Sequence, residues 1–276
     1  MTDGIVQELR LYPLKSARGI VLERSRLGAT GLEWDRHWLV IRANGTFLTQ
    51  RTHPALARIG TALTDRGLRL EAEGSAPLVL PFETPGASRT VRIWRDTCQG
   101  VDQGDAAAAW ISAVVGEPLR LIRSPLAPTR RADPTYAGPR PVPISFPDGY
   151  PLLVCNQASL DALNARLPEA IPMERFRPNL VLAGLEPFAE DGIDHLQIGS
   201  VRLKLVKPCT RCVIPSHDQR TGIGGVDPLP VLRTFRFDPK LRGVTFGENA
   251  IIEAGIGQII ERGARCEVIE DGAEPR

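Results

Sequence analysis

Two cysteines stand three positions apart in the segment KPCTRCVIPSHDQRTG, which runs from Lys207 to Gly222. A Cys-x-x-Cys pair can help bind a structural zinc ion, form a redox dithiol, or supply one thiolate to a metal that a cofactor holds. Each of these chemistries needs different neighbours. The residues around Cys209 and Cys212 therefore decide which one the sequence favours.

A zinc site and a redox dithiol both lack supporting residues. The chain has four histidines, at positions 37, 53, 195 and 217, and it has no second Cys-x-x-Cys. A zinc ion would therefore have to use Cys209, Cys212 and His217 together with a carboxylate. A redox dithiol usually opens a helix, whereas Pro215 and Gly222 predict a turn at this point.

The third chemistry, a single thiolate on a cofactor-held metal, agrees with the local residues. Lys207 and Arg211 place positive charge beside the thiols, which favours the thiolate form. Thiolate sulfur in turn suits softer metals. The local residues by themselves leave the three alternatives open.

The composition is that of a soluble globular protein with a large core. The chain has 276 residues, of which 42% are hydrophobic, and a formal net charge of +2. This charge is too small to favour nucleic acid binding, and neither a signal peptide nor an apolar run of about 18 residues predicts export or a membrane span. The odd number of cysteines, five, argues against a disulfide framework. We expect a cytoplasmic protein in which Cys155 and Cys266 are buried thiols.

Strand patterns dominate the sequence. Ten short alternating or apolar runs are separated by Gly, Pro and Asp, and they begin at residues 5, 36, 45, 67, 90, 119, 150, 178, 201 and 264. Helical periodicity is clear only over 105–118, with Asp105 as N-cap, and over 156–168, with Asn156 as N-cap and Leu167 in the apolar repeat. Two helices cannot cover ten strands. We therefore predict a mostly β protein with barrel-like sheets and a few helices.

A proline-rich stretch interrupts these patterns. Eight prolines lie between Arg123 and Pro151, both ends included, and the stretch has almost no periodicity. A long loop of this kind is either an irregular crossing between subdomains or a wall or lid over a pocket. The sequence leaves both interpretations open.

Several segments of the chain combine into a specific pattern. FRPNLVLAG begins at Phe176 and KPCTRC follows it, while YPLKSARGI, GLEWDRHWLVI and TQRTHPALARI stand near the N-terminus. In this order the segments resemble MOSC proteins, specifically those related to the mitochondrial amidoxime-reducing component and its bacterial counterparts. The resemblance covers nearly the whole chain. It implies an N-terminal MOSC β-barrel domain over 1–97 and a MOSC domain that binds a molybdenum cofactor over 98–276.

The resemblance also implies a cofactor and a set of site residues. In that family a pterin dithiolene of the molybdenum cofactor (Mo-molybdopterin) holds the metal, and one cysteine completes the sulfur ligands. Carried over, Cys212 is the metal ligand and the catalytic residue. Arginine offers a planar fork to phosphate and lysine a point charge, so the site would bind an anion as a pyridoxal phosphate pocket does. The residues implied to bind the cofactor are Lys15, Ser16, Arg36, Asp148, Gly149, Tyr150, Arg177, Asn179, Thr210, Arg211 and Cys212.

Three of these cations have a purely structural alternative. Arg36 would pair with Asp35 at the surface, and Lys15 would end a strand in solvent. Arg177 would brace the turn before Pro178. The sequence alone does not decide between these roles and cofactor binding.

The implied activity is reduction of small N-hydroxylated compounds such as amidoximes and hydroxylamines. The chain has neither a dinucleotide-binding glycine motif nor a set of iron–sulfur cysteines. Electrons would therefore come from a separate ferredoxin-, flavodoxin- or cytochrome b5-like protein. The alternative is a non-catalytic carrier of the molybdenum cofactor or of sulfur. His217 and Asp218 depart from the threonine-rich turn and Val-Asp-Pro of close relatives, so the substrate preference and the role of His217, proton relay or surface turn, stay open.

Overall fold

The computed structural model describes residues 3–270. Nineteen strands and four α-helices make up most of this part of the chain. The strands are β1 (Gly4–Leu11), β2 (Ile20–Leu22), β3 (Arg24–Gly28), β4 (Gly31–Leu32), β5 (Trp38–Ile41), β6 (Gly60–Thr64), β7 (Gly67–Glu71), β8 (Leu78–Leu80), β9 (Ser88–Ile93), β10 (Asp96–Asp102), β11 (Arg120–Arg123), β12 (Leu152–Asn156), β13 (Leu180–Ala183), β14 (Ile193–Ile198), β15 (Val201–Thr210), β16 (Phe237–Asp238), β17 (Gly243–Ala254), β18 (Ile259–Glu261) and β19 (Arg265–Glu270). The α-helices are α1 (Asp105–Val115), α2 (Pro134–Ala137), α3 (Gln157–Asn164) and α4 (Leu229–Phe235). Short 3₁₀ helices cover Pro54–Arg58, Met173–Phe176, Ala189–Gly192 and Ile214–Ser216.

Seven strands close into a barrel. They are neighbours in the order β12, β13, β1, β19, β14, β15 and β17, and β17 pairs back with β12. Closure leaves the barrel strands with no unpaired edge, and alternate residues point into the interior. Apolar side chains fill that interior, among them Val6, Leu9, Leu11, Val154, Leu180, Leu182, Leu196 and Leu203.

Smaller sheets form a second core from residues in the first half of the chain. One has the strand order β5, β11, β10 and β9, and another has the order β6, β7 and β8. Helix α1 packs with them around Trp38, Leu68, Ile111 and Leu121. The predicted boundary between residues 97 and 98 falls inside β10, and the division into two domains stays a prediction. The outer ends of its two spans, residues 1–2 and 271–276, lie outside the described residues.

The mostly β prediction is confirmed, but two helix details are wrong. The N-cap of α1 is Gly104 rather than Asp105, because residue 104 has a φ of 87° that glycine adopts readily. Helix α3 ends at Asn164, so Leu167 lies beyond it. The N-cap of α3 is Asn156, as predicted, and its side chain accepts a hydrogen bond from the Ala158 N–H.

The run GTFLTQ, predicted as a strand, forms only isolated bridges, between Ile41 and Phe47 and between Thr46 and Arg92. The chain turns directly after it, since the Thr49 carbonyl accepts hydrogen bonds from the N–H groups of the residues three and four positions on. Conversely β17, the longest strand of the described chain, was missed. Its polar interior residues at 248 and 249 break the apolar pattern, although both of its faces are largely buried.

The proline-rich stretch forms a wall of a pocket. Arg130 is buried, and its Nη1 donates hydrogen bonds to the carbonyls of Ser145 and Pro147, both at 2.9 Å. These bonds fix the turn formed by residues 147–150, which lines the pocket described below. The interpretation of the loop as a wall of a pocket is therefore confirmed for residues 147–150.

Candidate functional site

All eleven residues singled out from the sequence line one pocket. Lys15, Ser16 and Arg36 come from the N-terminal segments, while the turn at 148–150, the segment after Phe176 and the end of β15 bring the others. The same pocket is lined by Cys209, the other cysteine of the motif, and by Arg51 and Asn249, which the sequence did not single out. The structure thus brings the predicted residues together, and what they bind stays a prediction.

Three of the lining residues have a left-handed backbone. The φ angles of Ser16, Arg36 and Arg177 are 69°, 45° and 57°. Non-glycine residues seldom adopt such angles, and where they do, the surrounding structure must hold them, often at functional sites. A contact with a distant residue holds the backbone of Arg36 in this conformation, because the Arg36 N–H donates to the Tyr12 carbonyl at 2.9 Å. Three of the seven non-glycine residues with positive φ among residues 3–270 therefore line the pocket.

Tyr12 lies between two guanidinium groups. Its ring centroid is 4.4 Å from Cζ of Arg36 and 4.3 Å from Cζ of Arg177. Contacts of this kind between cations and aromatic faces are attractive. Burial raises the pKa of Tyr12 to about 12, so the ring stays neutral. Gly19 makes room for this ring, since a Cβ at that position would lie 2.4 Å from a ring carbon.

The guanidinium of Arg36 is fixed on several sides. Nη1 donates to Asp35 at 2.5 Å and to Oδ1 of Asn179 at 3.0 Å, and Nη2 donates to the Arg177 carbonyl at 2.9 Å. Asn179 also accepts a bond from the Leu153 N–H at 3.1 Å, which ties this group to the barrel. The alternative of a surface pair is wrong, because Asp35 is only 3% exposed. Asn179 therefore acts by orienting Arg36.

Two arginines at the pocket, the buried Arg177 and the partly exposed Arg211, form no salt bridge with any residue in the range 3–270. Nη1 of Arg177 donates to the Ala17 carbonyl at 2.8 Å and to Oε1 of Gln219 at 2.9 Å. Burial lowers the pKa of Arg177 to about 10. Arg211 donates to Sγ of Cys209 at 3.0 Å and to the Phe176 carbonyl at 2.7 Å. Because a buried charge without a counterion is costly, this arrangement favours an anionic ligand.

Lys15 is also buried rather than solvated, with 6% of its surface exposed. Its Nζ donates to the Phe146 carbonyl and to Oδ1 of Asp148, both at 2.7 Å. Burial lowers the pKa of Lys15 to about 8, although Asp148 partly opposes the change. Arg51 donates to the other carboxylate oxygen of Asp148 at 3.0 Å. Burial disfavours the charged carboxylate, but Lys15 and Arg51 outweigh it and hold the pKa of Asp148 well below its usual range.

The two cysteines of the motif have different surroundings. Cys212 is partly exposed in the pocket, and the guanidinium of Arg51 lies near it in the lining of the same pocket. Cys209 packs against the apolar cluster outside the barrel, and burial raises its pKa despite the nearby guanidinium of Arg211. A bulge between β15 and β17 at Pro208 separates the two environments. All five cysteines are free, and the buried thiols predicted at 155 and 266 are confirmed.

Sequence reasoning missed several residues that shape the pocket. Arg51 stands in TQRTHP, a segment noted for its resemblance but without any pattern that marks the arginine. Gln50 and Gln219 are uncharged and carry no motif. His217 lies in the predicted turn and is not among the residues that line the pocket. The missed contacts join distant parts of the chain, so no local signal could have found them.

Two family models match the chain. The model described as MOSC N-terminal beta barrel domain covers residues 3–118, and the model described as MOSC domain covers residues 141–271. Mitochondrial amidoxime-reducing component 1 of Homo sapiens is 35% identical over 266 residues, which cover 91% of this chain and 79% of the relative. The chain belongs to the MOSC family. Mitochondrial amidoxime reducing component 2 of Rattus norvegicus is 33% identical over 254 residues, or 87% of this chain and 75% of the relative.

Residues from both of the segments that the family models match line the pocket. Lys15, Ser16, Arg36 and Arg51 come from the N-terminal barrel segment, and the remaining lining residues come from the MOSC segment. Within residues 3–270 no cluster of three or more His, Cys, Asp or Glu side chains could hold a metal ion. No helix in the same range is long and apolar enough to cross a membrane.

Proposed function

We propose that this MOSC protein is a molybdenum-cofactor-dependent reductase of small N-hydroxylated compounds. Its relatives are named for the reduction of amidoximes, and its two MOSC segments support a role related to the molybdenum cofactor. The observation that carries the proposal is a pocket in which the buried Arg177 and the partly exposed Arg211 form no ion pair with a carboxylate of residues 3–270 and lie beside the partly exposed thiols of Cys209 and Cys212. An anionic group that takes a single thiolate ligand fits this donor set.

The residues present fit the cofactor. Arg177, Arg36 and Lys15 would hold its anionic and pterin groups, and Arg211, whose Nε is buried without a protein partner, would add a further donor. Cys212 would ligate the metal. When bound, the cofactor supplies the two-electron chemistry that removes oxygen from nitrogen. The protein would orient the cofactor and the substrate and surround the cofactor with cationic side chains.

The neighbours of Cys212 define what the chain itself contributes. Arg51 donates to Asp148 at 3.0 Å, which holds its guanidinium in the pocket close to Cys212. Arg51 therefore keeps positive charge beside the sulfur of Cys212. Electrons would be delivered by a separate redox protein, and we propose a cytoplasmic location.

Two matched serine variants test the proposal. Cys212→Ser replaces a soft ligand by a hydroxyl that stays protonated near pH 7, so reduction of an amidoxime by reduced methyl viologen should be abolished. Cys209→Ser has almost the same volume and should lose about tenfold to hundredfold at most, because Cys209 lies beside the site rather than on the metal. Molybdenum content by elemental analysis and pterin fluorescence should be measured on both variants and on the wild type.

The outcomes separate the alternatives. Equal failure of both variants with no molybdenum in the wild type would contradict the proposal and favour a dithiol or zinc protein. A wild type that contains full molybdenum and pterin but does not turn over any N-hydroxylated compound would instead be a carrier of the cofactor. Loss of activity confined to Cys212→Ser supports the reductase.

A further inference from the structure

Two glutamine side chains pair with each other behind the pocket. Nε2 of Gln50 donates to Oε1 of Gln219, and Nε2 of Gln219 donates to Oε1 of Gln50, both at 3.0 Å. The two residues are 169 positions apart in the chain. Gln50 is 0% exposed and Gln219 is 3% exposed. A buried reciprocal amide pair of this kind is stable only when every polar atom finds a partner.

The two glutamine side chains also form hydrogen bonds with residues that line the pocket. Gln50 donates from Nε2 to the Ser16 carbonyl at 2.8 Å, and Gln219 accepts at Oε1 from Nη1 of Arg177 at 2.9 Å. Gln219 also donates from Nε2 to the His217 carbonyl at 3.2 Å. The pair thus supports two pocket residues whose backbones are left-handed, Ser16 and Arg177. The hydrogen bonds of the glutamine pair therefore hold Ser16 and Arg177 in position.

The position of Gln219 also determines how the charge of Arg177 is used. Among residues 3–270 the acceptors of the guanidinium are the Ala17 carbonyl and Oε1 of Gln219, and both bind Nη1, so Nη2 and Nε remain for a ligand. Both acceptors are neutral. A carboxylate in place of the amide would form a buried ion pair with Arg177 and cancel the positive potential that an anion needs.

We propose that Gln219, supported by Gln50, is a positioning residue that orients Arg177 toward an anionic group in the pocket without forming an ion pair with it. The proposal deepens the proposed function, on which it rests for the identity of the natural anion. It predicts that the amide at position 219 matters because it is neutral, not because it fills space. A phosphate group is the anion whose chemistry matches a free guanidinium edge.

The test uses the full chain, produced without molybdenum cofactor, with inorganic phosphate as the probe. A ligand that binds only the folded state stabilises it by RT ln(1 + [L]/Kd), so the dissociation constant of phosphate can be fitted from the rise of the unfolding temperature with phosphate concentration. Gln219→Glu keeps the size of the side chain and adds the charge. Gln219→Met keeps the size and removes the acceptor. Gln258→Glu makes the same charge change at an exposed position and serves as the control.

Gln219→Glu should need about tenfold or more phosphate, because its carboxylate pairs with Arg177 in place of the anion. Both Gln219 variants lose the two hydrogen bonds that Nε2 donates, so without phosphate both should unfold at a lower temperature than the wild type. Gln219→Met should show a smaller loss of binding, and Gln258→Glu none. Unchanged phosphate binding in Gln219→Glu, or no phosphate effect on the wild type, would overturn the inference. So would an equal loss of phosphate binding in Gln219→Glu and Gln219→Met, since that indicates a purely structural role.

The same variants separate this inference from the proposed function. Protein made in cells that produce the cofactor should contain less molybdenum and pterin as Gln219→Glu than as wild type. If the wild type contains no molybdenum yet binds phosphate as described, the reductase proposal fails and the role of Gln219 stands. If the wild type contains the cofactor and Gln219→Glu contains as much, the role of Gln219 fails alone.

Discussion

Lys15 should make the stability of this protein depend on pH in a defined window. Its side chain is buried in the pocket wall, and burial lowers its pKa from the ordinary value of 10.5 to about 8. Below pH 8 the lysine is charged in both the folded and the unfolded chain. Between about pH 8 and 10.5 it is neutral in the folded chain but still charged in the unfolded chain, so the unfolded state binds more protons. Stability must therefore rise with pH across this window.

The size of the effect follows from the pKa. The folded value lies about 2.5 below the unfolded one, and each pKa unit corresponds to about 1.4 kcal/mol, so the full change is about 3 kcal/mol. Most of this gain in the free energy of unfolding should be present by pH 10. The charged lysine below pH 8 is thus a cost to the fold, which the binding of an anion would offset. Phosphate affinity should accordingly decrease above pH 8 as Lys15 loses its charge.

Urea unfolding of the cofactor-free protein at pH 7, 8, 9 and 10 measures this change. Lys15→Met has a similar volume and no titrating group, so subtracting its free energy of unfolding from that of the wild type removes the contributions of other residues. The difference should move in favour of the wild type by about 2 to 3 kcal/mol between pH 7 and pH 10. A difference that is flat or falls with pH would refute the reasoning, because it would mean that Lys15 is not held in a desolvated site.

Three further predictions concern the cations, the electron source and one turn. Arg36→Ala and Arg177→Ala should each lower cofactor affinity about tenfold to hundredfold with the fold retained by circular dichroism, and unchanged molybdenum content in both would show that the arginines are structural. The pure chain should not turn over with NADH but should do so with reduced methyl viologen, and NADH-driven turnover would contradict the need for a separate electron donor. Gly222→Ala should lower the unfolding temperature, since φ is +71° and a Cβ would lie 2.3 Å from the Pro54 carbonyl, whereas Gly224→Ala has open space and should not; equal effects would contradict this.

The sequence was sufficient for the fold class and for much of the pocket. Alternating runs separated by Gly, Pro and Asp predict strands because the side-chain period of a strand is short and local. The resemblance to the MOSC family implied eleven site residues, and the structure brings all of them to one pocket. These residues were found through the resemblance, because their types and spacing form a pattern along the chain. The preference for Cys212 over Cys209 as ligand came from the same resemblance.

The tertiary structure decided the features that depend on contacts between distant segments. Arg51 reaches Cys212, and Gln50 reaches Gln219, only because the end of β15 and the N-terminal segments meet at one pocket. Burial, too, was invisible in the sequence. Lys15 was open to interpretation as a solvated strand end, yet its pKa is set by the protein packed around it. A local sequence pattern predicts the secondary structure of a segment. The desolvation of a side chain and its hydrogen-bond partners depend instead on which other segments the closed barrel places against it.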